Sequence, residues 1–434
     1  MDYFLVLLIV YSCLFFLSTV IFNLKILSPS IIFTASFTLM LYLAYVTREM
    51  MGFSVSEKTF KVLAIGGLLF VINEFFVMFS HQLLHHKSLC NNFYTTKRVP
   101  LYIKKSTLNY FLLIISFSFG LALLSILTST SGSVGNRMET YKNMMLYDTG
   151  NVKFRFLLNQ LFKINTAISY VCAYIGIYNW LIIGEKFKKQ VKYFFIVAIY
   201  IIYTFFSQGA RQPAIEIVIF MFLMYFAWKL KRSERRDLLK SVGRLVIMAP
   251  FAAVLFTKTA ELVGRRAAER QVLKYISTYF CGGLYAFNLH INEPARNKIW
   301  GQSSFADIYQ ILIKLGLVPD SYAASYHSFN LYGNTVTMFG RWYEDFGFIG
   351  VCIMTIIVSM FFSTLFYKYI CPSVKNQELH LSKIIYGKLV IALVWAGYDD
   401  RIRALFSMSN ILYVLLIIIV YKFFVERHYH IKIH

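Results

Sequence analysis

Arg211, Arg265, Arg266, Arg270, Arg341, Arg401 and Arg403 fall in loops that ought to be poor in positive charge. A guanidinium is a planar fork of N–H donors that matches phosphate or carboxylate oxygens in pairs. Arginines collected on that side therefore point to an anionic partner there. Spacing sorts them further. Glu261 to Arg270 reads as helix, with Glu261, Arg265 and Glu269 four apart on one stripe. Those three can satisfy one another at about 0.2–0.5 kcal/mol per pair. Arg266, Arg270 and Lys274 form the neighbouring stripe, which has no acid of its own and makes the better anion ridge.

Arg211 lies in the short turn Ser207 to Pro213. Gly209 permits a tight backbone and Pro213 suits a first helical turn, so Arg211 is held near a helix start at the membrane edge. It either snorkels to the interface or faces a lipid phosphate. Arg341, Glu344 and Asp345 open a later span. Arg341 and Asp345 are four apart and can pair, and both acids suit a helix N-terminus. The functional alternative makes Asp345 or Glu344 a general base beside a phosphate-binding Arg341. His327 is a third candidate base, with a pKa near neutrality. Asp399-Asp400-Arg401-Ile402-Arg403 offers a pair of acids but no further ligands at metal spacing, and its arginines compete for the carboxylates. No metal site is predicted.

These residues are positioned by apolar runs. The chain has 434 residues, 58% of them hydrophobic and only 15% charged, against about 25% charged in a soluble domain. Its mean hydropathy is +0.58. Runs near the bilayer-spanning length occur at 3–22, 30–47, 62–80, 108–129, 156–183, 193–207, 213–229, 245–258, 348–368, 385–398 and 404–425. They predict an all-α, polytopic integral membrane protein with about eleven spans (10–12). Residues 1–434 read as a single membrane-embedded domain. Eleven spans put the N-terminus outside and twelve put it inside. The first run has no basic n-region and no small-residue cleavage site, which predicts a retained span.

Lys and Arg crowd 81–107, 184–192 and 229–244, which makes those loops cytoplasmic. The same rule accounts for much of the net charge of +23 and removes the case for nucleic acid. Two segments on the opposite side are longer than turns, 129–155 and the large outer loop 257–346. The apolar patches at 275–289 and 308–317 predict short helices at the membrane surface. Six scattered cysteines give no disulfide framework. No Walker-type or Rossmann-type glycine pattern is present, so no nucleotide and no cofactor is expected. Glu74 and Lys163 lie within apolar runs and either line a path or pair with a partner.

Three segments carry a family resemblance: Ser207-Gln-Gly-Ala-Arg-Gln212, Tyr275 to Asn288 (YISTYFCGGLYAFN) and Thr337 to Gly350 (TMFGRWYEDFGFIG). They resemble the O-antigen polymerases, the Wzy-type oligosaccharide repeat-unit polymerases. The many spans, the large late outer loop and the basic last outer turn are similar too. The resemblance implies a GT-C-like helical fold in the bacterial inner membrane, with the active site facing the periplasm. It implies a substrate that is an oligosaccharide on polyprenyl pyrophosphate, and a chain-length regulator as partner. The growing glycan would pass to a sugar hydroxyl of the next unit. Arg211, Arg266 and Arg341 would hold pyrophosphates, supported by Arg265, Arg270, Arg401 and Arg403. Asp345, Glu344 or His327 would be the base. The related ligases often carry His-Asn where this chain has Gly333-Asn334, which argues against a ligase. A flippase for the same lipid-linked units is the alternative from another class.

Overall fold

A computed structural model describes residues 2–85, 99–132, 134–147, 151–207, 211–230, 272–292, 299–323, 335–371 and 380–426. All regular structure among them is helical. In chain order the helices are α1 (Tyr3–Ile21), α2 (Pro29–Val46), α3 (Arg48–Met51), α4 (Glu57–His85) and α5 (Lys105–Ser129). Next come α6 (Val134–Tyr147), α7 (Arg155–Tyr178), α8 (Phe187–Ser207) and α9 (Gln212–Leu230). The remainder are α10 (Val272–His290), α11 (Ala306–Lys314), α12 (Met338–Leu365), α13 (His380–Trp395), α14 (Arg401–Ala404) and α15 (Met408–Val420). Helices are what a bilayer demands, because each backbone N–H and C=O must find its partner within the segment.

Eight helical stretches among the described residues are long and apolar enough to cross a membrane, built on α1, α2, α4, α5, α7, α8, α12 and α15. The chain is by that measure a multi-pass membrane protein. The run predicted at 213–229 is helical as α9, and the run at 385–398 corresponds to the shorter helix α13. The run at 245–258 lies outside the described residues.

The chain folds into two compact units. One comprises Met1–Tyr94 with Leu273–Ile411, the other Thr95–Val272 with Leu412–His434. In the first unit α4 packs along α12, α1 lies against α2 and α4, and α13 lies against α2. Its core is aromatic. The Phe33 and Phe70 rings stack at 4.3 Å, Tyr11 stacks on Phe37 at 5.1 Å, and Phe37 meets Phe339 at 5.6 Å. In the second unit α7 and α8 pack together, with α5 and α9 against both.

Glu74 turns out to be a pairing device. It accepts hydrogen bonds from the Ser28 hydroxyl (2.7 Å), the Ser30 N–H (2.5 Å) and the Tyr367 hydroxyl (3.3 Å). Ser28 and Ser30 flank the start of α2, so this buried carboxylate satisfies the positive end of another helix. Lys163 on α7 donates to Gln160 at 3.3 Å.

The apolar patch 275–289 is helical, as expected, but α10 is no loose surface helix. Its Cys281, Gly283, Leu284 and Tyr285 are buried. Ser277 shares hydroxyl contacts with Thr47 (2.7 Å) and Tyr285 (2.8 Å), and Asn288 accepts from Ser56 N–H at 2.8 Å. Gly283 is the tightest contact. A Cβ there would run into the Tyr398 carbonyl oxygen and lie 3.1 Å from Thr337 N. Gly283→Ala is therefore expected to destabilise the fold by about 1–3 kcal/mol, the usual cost of overpacking. A thermal melt of the purified protein checks this, and an unchanged midpoint would remove the argument.

Candidate anion-binding site

The site begins with a break in α12. Gly347 takes a left-handed conformation (φ 66°) inside that helix. Glycine reaches this region without a Cβ clash. The break separates a short lead, Met338 to Phe346, from the apolar stretch beyond it. The unbroken apolar run starts only at residue 348, because the polar stretch Arg341 to Asp345 interrupts the hydropathy, whereas the helix itself starts at Met338.

The lead is amphipathic by helical spacing. Phe339 and Trp342, three apart, are both buried, and their rings meet at 5.8 Å. They root the lead in the aromatic core. Arg341 and Asp345, four apart, leave on another face. The two do not pair with each other. The Asp345 carboxylate instead accepts the Ser303 N–H (3.1 Å) and the Ser304 N–H (2.6 Å). Backbone N–H donors hold that carboxylate in place. It thereby locks the turn at 299–305 onto the lead. Rings of Trp300, Phe305 and Phe346 close the joint at 5.0–6.0 Å. The Arg341 guanidinium then donates to the Ser303 hydroxyl at 3.1 Å.

A second loop reaches the same place. Met338 N–H donates to Ala396 O (3.0 Å) and Asp400 N–H to Val336 O (3.1 Å). These backbone bonds stitch the turn after α13 to the start of the lead. Asp400 then caps α14, with one oxygen accepting from Ile402 N–H (3.1 Å) and Arg403 N–H (3.4 Å). Arg401 pairs with Asp399 at 2.9 Å, and Arg403 with Asp307 of α11 at 3.6 Å.

The arrangement has three arginines and four carboxylates, Asp307, Asp345, Asp399 and Asp400, so it is not a bare cationic patch. What distinguishes it is the set of atoms left over. Arg341 Nε, Arg403 Nε and Asp400 Oδ2 are buried without a hydrogen-bond partner. Arg341 makes no ion pair with a carboxylate among the described residues; its partner is the neutral Ser303 hydroxyl. Buried donors are almost always satisfied, so orphans call for a ligand or water. Two guanidinium N–H groups lacking acceptors fit an oxyanion. Asp400 is 1% exposed. Burial raises its pKa from 3.8 to about 6, against the opposing pull of Arg341 and Arg403.

Set beside protein-family models, curated proteins and solved structures, the chain matches none of them. The functional reading therefore rests on residues and geometry.

Of the sequence-predicted residues, Arg341, Glu344, Asp345, Arg401 and Arg403 belong to the first unit and come together around this site. Glu344 is half-buried on the lead. Arg211 belongs to the second unit, where it is 5% exposed and its carbonyl accepts the Ile215 N–H at the start of α9. Arg265, Arg266, Arg270 and His327 lie outside the described residues. Four participants escaped the sequence reading, Ser303, Ser304, Asp307 and the unfilled oxygen of Asp400. The available signal was Gly301-Gln-Ser-Ser304, a small polar turn between apolar patches with an acid in the next helical turn.

Proposed function

We propose that the protein polymerises lipid-linked oligosaccharide repeat units, with the Arg341 cluster holding a pyrophosphate. The observation that carries this reading is the pair of buried, acceptor-less guanidinium donors, Arg341 Nε and Arg403 Nε, at the end of a membrane-embedded unit. That end is the one the loop charges assign to the outside. A polyprenyl pyrophosphate brings its oxyanions to that depth, with the lipid in the bilayer and the glycan in water.

The chemistry follows from the leaving group. A hydroxyl oxygen of the acceptor sugar attacks the anomeric carbon of the donor. The carbon–oxygen bond to pyrophosphate breaks, and polyprenyl pyrophosphate departs with the electron pair. Negative charge grows on the pyrophosphate oxygens as this bond stretches, and fixed N–H donors stabilise it as it develops. The attacking hydroxyl must lose its proton. Asp345 is engaged by two backbone N–H groups and supports the turn. Asp307 and Asp399 each face an arginine. Asp400 keeps one unfilled oxygen in the same cluster and is the carboxylate best placed to take that proton.

Deleting the gene in its native host and resolving the surface glycolipid by gel tests the reading. The expected result is collapse of the ladder to core plus one repeat unit. Loss of every repeat unit, the first included, would replace it by a ligase or flippase function.

A further inference from the structure

Trp300, Leu315 and Leu317 are 71%, 65% and 66% exposed. They flank α11, a helix in which only Ala306 is buried. The inner side of α11 is set by Ala306 and by Tyr309, which donates to Trp300 O at 2.7 Å and packs on the Tyr322 ring at 5.3 Å. Ile308, Ile311, Leu312 and Leu315 recur at helical spacing on a different face. The end of the helix adds to that face. Gly316 turns left-handed (φ 70°), and the Gly316 and Leu317 N–H groups donate to Ile313 O and Leu312 O, each at 2.9 Å. A turn of this kind carries the next apolar side chain back beside the last helical turn. Leu317 thus lengthens the apolar stripe and still stays exposed.

The bilayer is the nearest cover for this face. The Trp300 ring lies 5.0 Å from that of Phe346. Beyond Gly347 the apolar span of α12 opens with Phe348 and Ile349, and its exposed side chains continue through Ile353, Ile357 and Met360. Such a strip on a spanning helix faces acyl chains. Trp300 stands at its outer end, the level at which indole rings collect. Lys314, exposed in the last turn of α11, has a stem long enough to keep its ammonium among headgroups. Asp307, in the first turn, reaches the other way. It pairs with Arg403 at 3.6 Å, where α11 touches α14.

We infer that α11 is seated in the outer leaflet, with Trp300, Leu315 and Leu317 among the acyl chains, and that this seat holds Arg403 in place through Asp307. The bilayer is then a structural partner of the arginine cluster and not only its surroundings. This rests on α12 as a span and holds whether or not the protein polymerises anything.

The test uses the full-length protein in nanodiscs whose lipids are brominated either near the headgroup or near the chain end. Tryptophan fluorescence of the wild type minus that of Trp300→Phe isolates the one indole. Bromine near the headgroup is expected to quench this component by about twofold or more, bromine near the chain end less, and aqueous acrylamide little. Quenching by acrylamide with neither bromolipid effective would place α11 in water and overturn the proposal. A component reached by no quencher would mean that a second copy or another protein covers the face, and would overturn it too. The double variant Leu315→Asp, Leu317→Asp then tests the link to Arg403. It should weaken the bromine quenching and speed amide hydrogen exchange about tenfold in both α11 and α14. Faster exchange in α11 alone would break the link, and faster exchange with unchanged quenching would show that the leucines pack on protein; either result would overturn the inference.

Discussion

Arg341→Lys is expected to abolish long polymer while leaving the protein at normal levels. Lysine keeps the charge and the length but loses the fork, and with it the Nε donor that lies buried without an acceptor. If that donor meets pyrophosphate oxygens only as their charge develops, its loss falls on the transfer step. One such contact contributes about 2.7–4 kcal/mol, or roughly 10²–10³ in rate. The fold should tolerate the change, because the lead is rooted by Phe339 and Trp342 and locked by Asp345, none of which involves the Arg341 side chain. Arg403→Lys should cost less, since Arg403 is already partly committed to Asp307. Glycan length on a gel, with an immunoblot for protein level, reads both. Wild-type chain lengths in Arg341→Lys would sink the phosphate-clamp idea.

The contrast between Arg341 and its neighbours shows what the sequence could and could not convey. Helix positions were legible wherever apolar residues ran unbroken, because the bilayer permits little else. The start of α12 was not, since its lead buries Phe339 and Trp342 on one face only and a hydropathy window averages that face away. Arginine positions were legible as well, but their partners were not. Arg341 and Asp345 have the spacing of a helix ion pair, and the structure gives each a different partner through the turn at 299–305. That turn is about forty residues distant in sequence, so no local pattern announces it. The same holds for Arg403 and Asp307. Asp400 was legible as one of two adjacent acids. Its burial goes with a long-range backbone bond, from its N–H to Val336 O, that leaves no mark on composition.

That burial leads to the second large effect. Asp400→Asn should remove activity and yet make the protein more stable at neutral pH. Asparagine keeps an oxygen to cap Ile402 and Arg403, so α14 is retained. It cannot accept the proton of a sugar hydroxyl, and loss of a general base typically costs about 10²–10⁴ in rate. Stability moves the other way. The carboxyl's pKa rises on folding from 3.8 to about 6 because burial disfavours the anion. Its favourable contribution is complete below about pH 4 and is lost as pH rises through about 6. The difference corresponds to at most about 3 kcal/mol at neutral pH. The wild-type protein should therefore lose stability between pH 4 and 6, whereas Asp400→Asn should stay flat across that window. Transfer activity of the wild type, measured on lipid-linked units in proteoliposomes, should rise over the same window as the carboxylate forms. Opposite slopes of stability and activity on one group separate a base from a merely structural aspartate, for which both would fall together on substitution. A variant that is active at pH 7 and no more stable than wild type would return Asp400 to a capping role and leave the base to be found among the other acids of the outer loop.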